Sequence, residues 1–457
     1  LVVVAVPGGG IQAASWTTQV LAGLVNARPE LAVEMRAISG VSGGSVGAAF
    51  YVAAFHYTRD TLASTPDTTL ARLRACFGVR GDTLGEVEDR VAAIADSAAH
   101  DARASSLSAV SYGLAFRDVP RVPIALAARF GGIGSSLLDE DRGRFLEEAW
   151  ARTAQSERLM LGDLARSISS GCLPAPILNT TAMETGHRVM VTPVQFDAPR
   201  ALDGSLYSTT EDWPRARTLY EYLDRGGEAP PWDLRLFTAA RLSATFPWVG
   251  PPARATYPDS VERQDPLTYE GHHFIDGGYH ENYGISGALD FLEPVLQARL
   301  ADSTDALTFD RVLLIQIRNQ PTVPSGETSS TDEFGTALIG PGVGALANTF
   351  QGAAMRNDAQ VHRFLARWNA ALEGTAVVRT VVFEPRDPEH PSPLSWHLTA
   401  SQQAAVDAQW KQQETCVDQL KTFLTASQDG VQDHSFSPEC APPNGPPAPA
   451  GLVGGSP

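Results

Sequence analysis

The sequence predicts an α/β fold, a central and mainly parallel sheet covered by helices, on three observations. Leu1 to Val6, LVVVAV, is a β-branched run of strand length closed by Pro7 and the glycines Gly8, Gly9 and Gly10. A helix-spaced stretch of Ala, Leu and Val follows from Ile11 to Asn26. A second apolar run, Ala32 to Ser39, is then followed by a small-residue helical stretch from about Ser45 to Phe55. Strand, helix, strand, helix at this spacing builds a right-handed βαβ unit and a buried parallel sheet.

Further along, the pattern loosens between Tyr57 and about Arg144, which reads as a helical insertion. Its two weakly charged stretches, Leu107 to Phe116 and Val122 to Leu138, read as packed helices, with a lid or lipid-facing surface as the alternative. Ala175 to Met183 and His187 to Pro193 are expected as neighbouring strands joined at Glu184-Thr185-Gly186. Leu234 to Thr245 reads as a helix ended at Phe246-Pro247, and His272 to Gly278 as a short strand ending on an acid. Arg311 to Asn319 and Ala376 to Pro385 read as buried strands, with helices around Ala353 to Leu372 and Ser401 to Ala426. The domain is expected to span 1–437, and the Pro- and Gly-rich tail, 438–457, to be disordered.

Composition narrows the function classes. The chain has 457 residues, 43% hydrophobic and 19% charged, the balance of a globular protein, and its Ala- and Arg-rich character points to a bacterial source. A formal charge of −17 argues against nucleic acid as a partner, because phosphate binding needs clustered Lys and Arg, and against a polybasic membrane anchor. Uncharged peripheral contact with a membrane stays open. The four cysteines form no CxxC pair; Cys416 and Cys440 are close enough to pair, and reduced thiols are the equal alternative. Leu1 opens directly inside a strand, so the chain is expected to be a piece of a longer protein whose location, cytoplasmic or membrane-associated, stays open.

Two glycine motifs carry the chemistry. Gly8-Gly9-Gly10, between a strand and a helix start, exposes backbone N–H groups at a positive helix end, suited to a phosphate, a carboxylate or a developing oxyanion. Its letters also fit the dinucleotide fingerprint through Gly8, Gly10 and Ala13. The acids at the required distance, Glu30 and Glu34, precede or open the second strand, on the side away from the loop, which weakens that reading. Gly40-Val41-Ser42-Gly43-Gly44 has the form of a nucleophile elbow, with Ser42 at the apex of a strand-to-helix turn; the plainer reading is a loop that packs a helix closely on a strand. Together the motifs set a serine against donors from Gly8, Gly9, Gly10 and the Gly43 amide at one sheet edge, as acyl transfer requires. The best base is Asp276, at the end of a short apolar strand and followed by Gly277 and Gly278; a solvated Asp-Gly turn is the alternative.

In these three blocks, taken in this order, the chain resembles the patatin-like phospholipases. Arg241 to Pro252, RLSATFPWVGPP, is similar to a further family segment of small residues before a proline. The resemblance implies a three-layer fold, a Ser42–Asp276 dyad without catalytic histidine, and an acyl-enzyme formed from a lipid or simple ester, with no metal and no cofactor. It implies the oxyanion hole at Gly8, Gly9, Gly10 and Gly43. Gln12 departs from the family's usual Arg or Lys, which favours an uncharged ester, and Pro7 replaces an acid often found before the glycines.

Asn282 is expected to support the site by hydrogen bonding and His280 to line it, while His272 and His273 read as structural. Ser39, Ser45 and Ser15 lack paired flanking glycines. The rival mechanism is a Ser-His-Asp hydrolase using His362, His390 or His397. The rival of another class is a catalytically silent acyl-binding or scaffolding protein.

Overall fold

Strand β1 (Val2–Val6) sends Val2, Val4 and Val6 into one hydrophobic cluster and Val3 and Ala5 into another. That alternation is the period-two signature of a strand buried on both faces, so the sheet is the middle of three layers. The computed structural model describes residues 1–56, 68–78, 82–118, 142–196, 216–223, 233–245, 253, 272–302, 309–319, 356–386, 396–427, 430–431 and 434–442.

Helix α1 (Gly10–Ala27) returns the chain to a helical turn, α2 (Leu31–Glu34), before β2 (Met35–Val41), which pairs parallel with β1. The strand expected from Ala32 therefore begins only at Met35. Pro29 and Glu30 carbonyls accept the amides of Ala32, Val33 and Glu34, and Glu34 pairs with Arg28, so the turn is satisfied as a helix. After the elbow comes α3 (Gly43–Phe55). Helices α4 (Thr69–Phe77), α5 (Leu84–Asp101) and α6 (Leu107–Gly113) follow. Helix α5 opens on a Thr83–Glu86 capping box and lays Val87, Val91, Ala95 and Ala99 against α1 and α3. The loosely patterned region thus supplies a core helix. The Val122 to Leu138 stretch lies outside the described residues.

Helices α7 (Arg142–Thr153) and α8 (Ala165–Ser169) lead to β3 (Ala175–Ala182), which pairs parallel with β2. Strand β4 (Arg188–Val191) returns antiparallel on β3, and β5 (Arg217–Thr218) continues parallel to β4 before the short α9 (Leu219–Leu223). Helix α10 (Leu236–Ser243) precedes β6 (Phe274–Asp276), and α11 (Ile285–Ala301) follows it. Strand β7 (Arg311–Ile317) joins the free edge of β1. Helix α12 (356–371) then leads to β8 (Val377–Phe383), parallel to β7. The main strand order is β5-β4-β3-β2-β1-β7-β8, with β6 on β3. Helices α11 and α12 cover the second face through Leu292, Leu296, Val361 and Trp368.

The single helix expected from Ser401 to Ala426 is two, α13 (Ala400–Lys411) and α14 (Glu414–Thr425). The break falls at Gln413, whose buried carboxamide donates to the Glu384 carbonyl (2.9 Å). All four cysteines are paired, Cys76 with Cys172 and Cys416 with Cys440, which corrects the expectation that thiols are as plausible as disulfides. The second bond buries Cys440 in a 3-10 turn (Pro438–Cys440), so the folded body extends past 437 into the expected tail. Residues beyond 442 lie outside the described residues.

Candidate active site

The site forms where three strands end. Strand β2 pairs with β3 as far as Val41 opposite Asn179; β6 takes over on β3 with Asp276 opposite Thr180. Because β4 occupies the other edge of β3 over Leu178 to Thr181, β6 must continue along the edge that β2 leaves. Successive register positions thus bring the start of the elbow and the end of β6 together.

Ser42 sits at φ 50° and ψ −121°, one of two described non-glycine residues with positive φ. Such a conformation costs on the order of 1–3 kcal/mol and persists only where its surroundings hold it. Here the Ser42 amide donates to Ser243 Oγ (3.0 Å), its carbonyl accepts from Val46, and the Gly44 amide docks on the Pro7 carbonyl (2.9 Å). The result aims Ser42 out of the turn while leaving it only 6% exposed. Ser15, Ser39 and Ser45 are wholly buried.

Asp276 is 2% exposed. Oδ1 accepts the Gly278 amide (2.8 Å), while Oδ2 has no partner at standard hydrogen-bond geometry. Burial pushes the carboxyl up to about 6, against a smaller opposite pull from the Ser42 hydroxyl and the Gly278 amide, both of which hydrogen-bond the charged form. An acid so placed is ionised at neutral pH yet basic enough to accept a proton, the condition for general-base work. Asp276 is fixed in turn by its own amide on the Thr245 carbonyl (3.1 Å).

The glycine loop closes the third side. Gly9 (φ 139°) and Gly10 (φ 60°) occupy backbone conformations that disfavour a side chain, and a Cβ at Gly43 would run into the Gly10 carbonyl. The elbow and loop are therefore in backbone contact. Of the four expected oxyanion donors, Gly8 is excluded: its amide is taken by the Asn282 carbonyl (2.9 Å). The amides of Gly9, Gly10 and Gly43 have no partner among the described residues, and two of them open helices, so the partial positive charge of a helix end adds to them.

Asn282 holds the loop through that backbone carbonyl. Gly277 is buried beside the Asn179 carbonyl, and Gly278 holds the carboxylate. Gln12 is half-buried in the first turn of α1. His280 is exposed, its pKa lowered by partial burial and by Arg188 and Arg356, and it bonds neither Ser42 nor Asp276 among the described contacts. His273 pairs with Glu184 (2.7 Å) and His272 packs edge-on to Tyr222, both structural positions. No described histidine bonds Ser42 or Asp276; His390 lies outside the described residues. Glu34 faces the amino group of Leu1, at the opposite end of β1 from the loop, which removes the dinucleotide reading's second requirement. Among the described residues no group of His, Cys, Asp and Glu is arranged to hold a metal.

Two supports escaped sequence reasoning. Asn319, just past the end of β7, donates to the Gly8 carbonyl (2.6 Å); its position at a strand's C-terminal end, where α/β folds gather ligand-side residues, was the available signal. Ser243, inside the RLSATFP block, touches the elbow itself.

No curated protein matches the chain. Among solved structures, the crystal structure of VipD from Legionella pneumophila is similar at 12% identity with a TM-score of 0.32, over 95% of this chain and 71% of that one. The family model described as patatin-like phospholipase matches residues 4–289, well over half of the chain and the whole run from glycine loop to the Asp276 block. The chain belongs to the patatin-like phospholipase family, whose members generally hydrolyse lipid esters.

Proposed function

We propose that this protein is a serine acyl hydrolase that cleaves a carboxylic ester of lipid type through Ser42 and Asp276. The observation that carries the reading is the strained, nearly buried Ser42 next to a buried carboxylate raised to about 6, with no described histidine at either group. Asp276 takes the proton from Ser42 Oγ as the oxygen attacks the ester carbonyl. The negative charge that develops on the carbonyl oxygen is met by the amides of Gly9, Gly10 and Gly43. The alcohol leaves with the proton held by Asp276, and an acyl group remains on Ser42. Water, deprotonated by the same carboxylate, then releases the acid and restores the serine.

Among the described residues, the neighbours that hold the glycine loop, Pro7, Asn282, Asn319 and Gly43, are uncharged, and Gln12 adds no charge, which supports an uncharged ester over a phospholipid head group. Peripheral contact with a lipid surface belongs to the same proposal. Four of the eight exposed large hydrophobics among the described residues, Leu107, Tyr112, Leu114 and Phe116, fall within one stretch that carries no charged residue. No described helix is long and apolar enough to cross a membrane. The two disulfides support folding in an oxidising compartment as part of the same reading.

The test is hydrolysis of p-nitrophenyl butyrate, an acylglycerol emulsion and phosphatidylcholine vesicles by the wild type, Ser42→Ala and Asp276→Asn. Turnover of a neutral ester, abolished in both variants, supports the reading. Saturable lipid binding without product, unchanged in Ser42→Ala, defeats it in favour of a silent acyl-binding protein.

A further inference from the structure

Ser243 is the last residue of α10, wholly buried, and its hydroxyl meets three partners from two other elements. It donates to the Asn179 carbonyl of β3, accepts the Ser42 amide (3.0 Å) and shares a 2.7 Å bond with Ser45 Oγ. A hydroxyl owns one proton. Since that proton goes to Asn179, the other two bonds must be accepted, which fixes Ser45 as a donor and leaves Ser243 fully satisfied.

These partners are not generic core groups. Asn179 is the residue opposite Val41, the last before Ser42, and Thr180 beside it is opposite Asp276. The rest of the α10 end reinforces the junction through backbone atoms: Thr180 Oγ1 donates to the Leu242 carbonyl (2.6 Å), and the Thr245 carbonyl accepts the Asp276 amide. Among the side chains of that segment, Ser243 is the one whose described bonds reach the elbow.

We propose that Ser243 is a positioning residue for acyl transfer: by gripping the Ser42 amide and the Asn179 carbonyl at once, its hydroxyl holds the nucleophile in register with Asp276. The role rests on the serine hydrolase reading and deepens it. Committing the Ser42 amide to Ser243 also assigns oxyanion binding to Gly9, Gly10 and Gly43 and not to the serine's own N–H. Without the hydroxyl, the turn at φ 50° loses its side-chain anchor and the hydroxyl of Ser42 drifts from the carboxylate.

The experiment compares the wild type with Ser243→Ala and Ser243→Cys, the cysteine filling the volume with a weak acceptor, for p-nitrophenyl butyrate kinetics, their pH dependence and fluorophosphonate labelling. The expected loss is about 100-fold in kcat, with KM within about twofold, because misplacement acts on the transition state and not on ground-state binding. The acid-side inflection of the rate should also move to higher pH, since the Ser42 hydroxyl no longer stabilises the ionised carboxylate. A merely structural serine would not move that inflection. A folded Ser243→Ala with wild-type kcat and inflection overturns the proposal, as does failure of both variants to fold, which would assign the hydroxyl to the fold. A wild-type chain that neither turns over ester nor labels at Ser42 overturns the hydrolase reading and this role with it; a competent wild type beside an unimpaired Ser243→Ala overturns only the role.

Discussion

The burial of Asp276 makes a quantitative prediction about pH. A general base works only when ionised, and this carboxyl titrates at about 6 where an unperturbed aspartate titrates at 3.8. Between about pH 7 and about pH 5 the ionised fraction falls from roughly 90% to roughly 10%, so kcat/KM should drop about tenfold. An aspartate at its ordinary value would lose only about 6% over the same interval. The assay is p-nitrophenyl butyrate hydrolysis at constant ionic strength, with circular dichroism at each pH to exclude unfolding. An imidazole base would also fade in acid, so the profile is repeated with His280→Asn, His362→Asn and His397→Asn, and at two temperatures. Carboxyl ionisation shifts little with temperature and imidazole ionisation shifts markedly. A flat rate down to pH 5, or an inflection that vanishes in one histidine variant, would refute the reasoning.

The same burial has a cost in stability. The folded-state pKa of Asp276 lies above the unfolded one, so its contribution is fully present below about 3.8 and is lost as pH rises through about 6. Asp276→Asn should therefore melt a few degrees above the wild type at alkaline pH, reflecting up to about 3 kcal/mol, with the gap closing below pH 4, as differential scanning calorimetry can read. Gly43→Ala should abolish turnover, because the new methyl meets the Gly10 carbonyl and forces elbow and loop apart, whereas Gly85→Ala, with open space at the start of α5, should leave activity intact and gain up to about 1 kcal/mol in melting experiments. The Cys76–Cys172 and Cys416–Cys440 bonds close separations of 96 and 24 residues, for which chain entropy predicts stabilisation of about 4.7 and about 3.4 kcal/mol. Alkylation of the unreduced protein followed by mass analysis should find no free thiol, and reduction should lower Tm sharply; four alkylated cysteines in native protein would contradict the pairing.

The parts of the molecule legible in the sequence are those encoded by local pattern. LVVVAV announced a strand buried on both faces because alternate valines need two cores, and the elbow was readable because glycines must flank a serine forced to positive φ. What stayed hidden depends on distant pairing. The Cys76–Cys172 bond joins residues whose proximity follows only from the packing of α4 beside the segment that enters β3. Gly8 looked like an oxyanion donor because local sequence cannot say that the Asn282 carbonyl claims its amide. The helix break at Gln413 is set by a carbonyl nearly thirty positions away, Glu384, and not by a Gly or Pro that a sequence reading would notice. Ser243 stood inside a block already singled out, yet only the register of β2, β3 and β6 shows which of its small residues faces the nucleophile.

The most direct test of the account is the intact mass of the protein after exposure to a fluorophosphonate probe, read for the wild type, Ser42→Ala and Asp276→Asn. The account predicts one adduct on the wild type, mapped to Ser42, none on Ser42→Ala, and labelling of Asp276→Asn slowed by about 100-fold or more. An adduct that persists in Ser42→Ala, or an Asp276→Asn variant that labels at the wild-type rate, would contradict it.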